Sequence, residues 1–169
     1  MNATDKLKAA ADEAYRQNPK SCSHAVWHVI KQYVPNQAYL TANSLLMQMA
    51  ADPRWKQISR DAIEKLANDG TLVVGGLSDY EHGHVVVGYP GKAKAPGGYF
   101  YKNKKNGKMM LLSKSGSYPL AMSTSIGSWP GAQSKGDKTI WDPWADDDKL
   151  KKLKFWQLDP SVTKMPPGR

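Results

Sequence analysis

The pair Asp69-Gly70 divides the chain by the period of its apolar residues, and that division narrows the folds open to it. Before the pair, apolar side chains recur at helical spacing; after it, short β-branched runs are separated by Gly, Pro and Asn. Leu7, Ala10, Ala11, Ala14 and Tyr15 predict a first helix over 4–17, with Thr4 as its N-cap and Asn18-Pro19 as its stop. A second helix is expected over 21–34, closed by Pro35, and a third over 41–51. A fourth is expected over 53–68, because Pro53 after Asp52 suits a first helical position.

Beyond Gly70 the signals are those of strands. Leu72-Val73-Val74 reads as a strand ended by Gly75-Gly76, and residues 84–89 as a β-branched strand ended by Pro90-Gly91. Tyr99-Phe100-Tyr101 and Met109-Met110-Leu111-Leu112 flank Asn106-Gly107, a pair whose positive φ angles suit a tight hairpin turn. Later strands are expected over 118–122, 139–141 and 154–158, with a loose tail over 160–169. Helices first and a meandering sheet afterwards make an α+β order, not the alternation of a doubly wound fold. With 169 residues, 40% of them hydrophobic, the chain can build one domain with a real core, since domains commonly run to about 100–200 residues.

No run approaches the roughly 18 apolar residues of a membrane span, and the start Met1-Asn2-Ala3-Thr4-Asp5-Lys6 lacks the apolar stretch of a secretory signal. A soluble chain, made without a standard export signal, is the expectation. The net charge of +9 implies an acidic partner: nucleic acid, an anionic cell-wall polymer, a membrane surface or an acidic protein. Lysines gather at 102–108 and again at 149–154, where neighbouring Gly, Asn and Asp read as exposed hairpin tips.

The single cysteine, Cys22, cannot form an internal disulfide, and it stands in Ser21-Cys22-Ser23-His24 where the second helix begins. There the helix dipole and free N–H groups favour a thiolate. Helical spacing turns Cys22, Ala25, Val26, Val29 and Tyr33 to one face and His24, His28 and Lys31 largely to the other. His24 and His28 are four apart, but His-Ala-Val-Trp-His lacks the glutamate of a zinc-protease helix, so both read as surface histidines and no metal is expected. In Glu81-His82-Gly83-His84, the two-residue period sets His82, His84, Val86 and Gly88 on one strand face. Both histidines compete for the role of base. His84 is preferred, because it opens the valine run and would be held by sheet hydrogen bonds. A buried, inert thiol is the simpler account of a lone cysteine. The helix-start position, the flanking serines and the Gly-His-Val strand beyond the helices favour a Cys–His hydrolase.

Ser21-Cys22-Ser23-His24-Ala25-Val26, then intervening helices, then Gly83-His84-Val85-Val86-Val87-Gly88-Tyr89-Pro90-Gly91 resembles the papain-like peptidoglycan amidases of the NlpC and CHAP type. The resemblance implies N-terminal helices packed on an antiparallel β-sheet, Cys22 as nucleophile and His84 as base. It also implies a third polar residue on the next strand, yet no Asp, Glu or His occurs in residues 85–101. Ser117, Ser123 and Asn103 therefore stand as orienting candidates, with Asp137 and Asp142 further along and His82 as an alternative. The Cys22 backbone N–H would bind the oxyanion, with Asn18 or Ser21 adding a second donor. Within the superfamily, the size and basic charge look most like type VI secretion amidase effectors. That implies no cofactor, peptidoglycan peptide stems as substrate, action in a target bacterium's periplasm, and a secretion apparatus and small acidic immunity protein as partners. Two other readings stand beside it: a noncatalytic basic module for nucleic acid or an anionic polymer, and a Cys–His protease or transglutaminase-like effector on a cytosolic target. Nucleic acid is disfavoured, since no RNA-binding aromatic motif or helix-turn-helix spacing is present.

Overall fold

Helix α1 (Ala3–Gln17) starts one residue earlier than its spacing predicts, because the Asn2 side chain, not Thr4, accepts from the Asp5 N–H and caps it. Thr4 instead donates from Oγ1 to the Asn68 carbonyl at 2.7 Å. The computed structural model describes residues 1–164. Helix α2 (Cys22–Lys31) is capped by Ser21 and α3 (Ala42–Ala51) by Thr41, each hydroxyl accepting from the N–H three residues on. α2 ends at Lys31, short of the expected 34, and Tyr33 and Val34 then close over the core as a turn bonded to the Ile30 carbonyl.

The helix expected over 53–68 is not formed as one element. Asp52 is extended (φ −94°, ψ 120°) and its carboxylate holds Arg54 by a 2.6 Å ion pair, so Pro53 opens no helix. Trp55–Ile58 becomes strand β1, paired to β8 with Trp55 opposite Leu158. Burial of Trp55 against a distant strand overrides the local helical pattern. Only after a 3-10 turn at Arg60–Ala62 does α4 (Ile63–Asn68) begin.

Strand β2 (Val73–Leu77) runs through Gly75-Gly76 instead of ending there. An ideal Cβ on Gly75 would fall 2.4 Å from the Lys154 carbonyl oxygen, and one on Gly76 would fall 2.0 Å from that of His84, so the glycines let β2 sit between two neighbours. β3 (His84–Gly88) follows antiparallel. β4 (Gly97–Lys102) and β5 (Met109–Ser113) form the expected hairpin, but as a separate two-stranded sheet with a wider turn. Gly107 alone in that turn takes positive φ, at 69°, and Asn103 exchanges bonds with Lys108 and Gly107. β6 (Leu120–Ser123), β7 (Ser134–Thr139) and β8 (Lys154–Leu158) complete the main sheet, in the order β1-β8-β2-β3-β6-β7, with every neighbouring pair antiparallel.

Three further expectations are corrected. The strand expected at 139–141 lies earlier, because Thr139 turns the chain through Asp142 and leaves Ile140 and Trp141 to fill the core. The second lysine cluster lies not on a hairpin tip but on and just after α5 (Asp147–Lys152), capped by Asp146, with acids in the first turn and lysines in the last as the helix dipole favours. The expected loose tail begins with a 3-10 turn at Pro160–Lys164, and Val162 packs on the core; residues 165–169 lie outside the described residues.

The sheet is covered on both faces. Val74, Val85, Val87, Met122 and Trp156 meet α1, α2 and α3 on one face. Val73, Val86, Ala121 and Phe155 meet Ile63, Ile140, Trp141 and Leu150 on the other. The architecture is α+β, helices on an antiparallel sheet, and among the described residues no helix is long and apolar enough to cross a membrane.

Candidate active site

Ser21 determines where Cys22 sits. As N-cap it leaves Cys22 and Ser23 as the first two residues of α2, whose backbone N–H groups have no partner within the helix. Both face the Cys22 sulfur, and so does the N–H of Val85, one residue along β3 from His84. These three donors favour the thiolate, but burial opposes them and outweighs them, and the net result pushes the thiol up from its ordinary value. The expected resting thiolate is therefore replaced by a thiol, half-buried and backed by donors.

His84 heads β3 and points toward β6. Its Nε2 lies 2.8 Å from Ser123 Oγ, and Ser123 Oγ donates to the Ala132 carbonyl at 2.8 Å. A hydroxyl has one proton, and a carbonyl can only accept. Both bonds are satisfied together only when the imidazole carries its proton on Nε2 and Ser123 accepts it. That tautomer leaves Nδ1 with the lone pair. Burial lowers the imidazole to about 4, from an ordinary 6.5, so His84 is neutral near pH ~7. Trp144 covers the ring edge-to-face, with centroids 5.2 Å apart, on a turn in which Ala145 takes the left-handed φ of 50°. An L-residue enters that region at a cost of about 1–2 kcal/mol.

The other candidates fall elsewhere. His82 is exposed in the loop 78–83, whose base is clamped by Asn43 Nδ2 donating to the Asp79 carbonyl at 2.8 Å. Ser117 is exposed. Asn103 serves the hairpin turn, accepting from the Lys105 N–H. Asp137 accepts from the Lys135 N–H and pairs with Lys138 at 3.5 Å. Asp142 is fully engaged: its carboxylate accepts from the Gly97 and Thr139 N–H groups and from the Tyr99 and Thr139 hydroxyls, tying the hairpin to the end of β7. The Asn18 amide donates one N–H to the Ala14 carbonyl, and the Ser21 hydroxyl accepts the His24 N–H in capping α2 and meets the His24 ring. His24 itself stacks on Tyr39.

Two participants were not anticipated. The Ala132 carbonyl fixes the Ser123 proton, and the Gln133 amide donates both to the Pro19 carbonyl at 3.1 Å and to the Ser125 carbonyl at 2.6 Å, tying the segment before α2 to the β6–β7 loop. A backbone carbonyl has no side-chain signature, so only the folded chain reveals the first. A surface depression of about 610 Å³ lined by Gln37, Met47, Gln48 and Arg54 shares no residue with this site, and Arg54 there is already paired to Asp52.

No family model matches the sequence, and no curated protein matches it either.

Proposed function

We propose that the chain is a Cys–His thiol amidase of papain-like kind that hydrolyses amide bonds in peptidoglycan peptides. The observation that carries the reading is a grouping at the head of β3: a thiol facing the Val85 N–H, the neutral His84 one residue before Val85, and a Ser123 hydroxyl that meets His84 and whose proton is held by Ala132. On this reading Nδ1 of His84 takes the Cys22 proton as sulfur attacks the scissile carbonyl, and the Cys22 and Ser23 N–H groups receive the oxyanion. The imidazolium then protonates the leaving amine, giving an acyl-enzyme thioester. Water, deprotonated by His84, releases the acyl group and restores the thiol. Ser123 works as the positioning residue that keeps Nδ1 unprotonated between steps.

Peptidoglycan as substrate, and the further view of the protein as a toxin carried by a type VI apparatus to a rival's periplasm and restrained by an acidic immunity protein, rest on the two sequence motifs and the basic charge. Stem peptides carry free carboxylates that an excess of lysines attracts. Digestion of purified sacculi, with mass spectrometry of the released muropeptides, tests the activity and identifies the bond. Cys22→Ala should release nothing while keeping its circular dichroism; unchanged release by that variant would remove Cys22 from the chemistry. A cytosolic protein target predicts instead that sacculi stay intact while an acyl-enzyme forms with peptide esters.

A further inference from the structure

The β4–β5 hairpin carries a second feature that the thiol chemistry does not use. Phe100 pairs with Leu111 and Lys102 with Met109, so these four side chains share the outward face of the two-stranded sheet. Phe100 is 60% exposed, Leu111 56% and Met109 63%. The opposite face is occupied: Tyr99 and Tyr101 pack edge-on against Trp129, and Asp142 holds the Gly97 N–H and the Tyr99 hydroxyl. The apolar outward face is thus presented by a ribbon fixed to the body.

Its charge is of one sign. Residues 97–116 contain five lysines and no carboxylate. Lys114 pairs with Asp147, whereas among the described residues Lys102, Lys104, Lys105 and Lys108 form no salt bridge. Lysines on an unpaired sheet edge are a common guard against edge-to-edge association. That guard accounts for the charges but leaves unexplained three large apolar side chains beside them, which a guarded edge would replace with polar ones.

We propose that this face docks the protein onto an anionic lipid bilayer, with Phe100, Leu111 and Met109 entering the interfacial layer and Lys102, Lys104, Lys105 and Lys108 meeting lipid phosphates. A bilayer uses both features at once and needs no shape-matched groove: apolar side chains gain by burial at the acyl boundary and each lysine gains from the negative surface. Lysine suits phosphate as a compact point charge, whereas the fully buried parts of protein interfaces are depleted in it. The proposal stands apart from the thiol chemistry and survives if that reading fails.

Co-sedimentation of the full chain with vesicles tests it. Binding is expected to vesicles of equal parts phosphatidylglycerol and phosphatidylcholine, not to phosphatidylcholine alone, and to weaken as salt is raised. Replacing Lys104, Lys105 and Lys108 together by Gln should lower affinity roughly 100-fold, about fivefold for each charge. Phe100→Ser and Leu111→Ser, on opposite strands, should each weaken binding while leaving the salt dependence unchanged, with circular dichroism verifying the fold. Absence of binding to the anionic vesicles overturns the proposal. So does binding that falls with salt but ignores both serine variants, which would mark nonspecific attraction, or binding to soluble polyglutamate that the serine variants weaken equally, which would mark an acidic protein as the occupant.

Discussion

A hydroxyl with a single proton decides how His84 is used. Ser123 gives that proton to Ala132 and must accept from Nε2, so its loss removes the partner that selects the tautomer. General base catalysis contributes about 10²–10⁴-fold, and Ser123→Ala is expected to forfeit part of it, lowering kcat roughly 10–100-fold with KM little changed. The same change leaves a buried N–H and carbonyl unpaired, at about 1–3 kcal/mol of stability, readable by urea unfolding. A kcat equal to the wild type's would show that Nδ1 is kept free by something other than Ser123. The sequence offered Ser123 beside Ser117 and Asn103 with nothing to separate them. Which hydroxyl meets the imidazole depends on β3 pairing Val87 with Met122, a register set by contacts thirty-odd residues apart in the chain.

Strands β2 and β3 meet at Gly76, and the closeness of that meeting positions His84. A methyl group on Gly76 would fall 2.0 Å from the His84 carbonyl oxygen, and backbone cannot yield as a flexible side chain does. Gly76→Ala is expected to cost about 1–3 kcal/mol and to lower turnover as well, since relief requires β3 to move. Wild-type turnover in a destabilised Gly76→Ala would detach His84 from this contact. The hairpin depends on a different anchor. Asp142→Ala leaves Gly97, Tyr99 and Thr139 donors without their acceptor, and a loss of about 3 kcal/mol is expected. Trypsin should then cut at Lys102, Lys104, Lys105 and Lys108 faster than in the wild type, with the rest of the chain cut later; an unchanged cleavage rate would show that the Trp129 contacts suffice to hold the ribbon.

For the molecule as a whole, the two-sided core makes His84 a reporter of global stability. Its folded value of about 4 lies below the ordinary 6.5, so between these two pH values the unfolded chain binds the extra proton. Stability therefore rises with pH across that window, is fully present above about 6.5, and is lost as pH falls toward 4. The shift corresponds to about 3 kcal/mol. Urea unfolding followed from pH ~7 to pH ~4 should show this slope, and His84→Gln should flatten it. An identical slope in the variant would assign the dependence to other groups. Under the proposed mechanism, a His84 that stays neutral over most of this range places the acid limb of kcat/KM well below the pH at which a free imidazole titrates.

Local chemistry alone specified much of this. The stop of α1 at Asn18, the starts of α2 and α3, the two-residue phase of β3, the hairpin and the α+β order are carried by residues within a few positions of one another, where propensity and periodicity act directly, whereas the cap of α1 and the end of α2 fall elsewhere than their patterns suggest. The same holds for the placing of Cys22 at a helix start and His84 at a strand head. What lay beyond reach was decided by distant partners. Trp55–Ile58 left its helical pattern because β8 offered an edge, and Gly75-Gly76 continued a strand because close neighbours left no space for side chains. The protonation of the thiol and imidazole, and the choice of Ser123, follow from burial and cross-strand register, which exist only once the sheet is assembled.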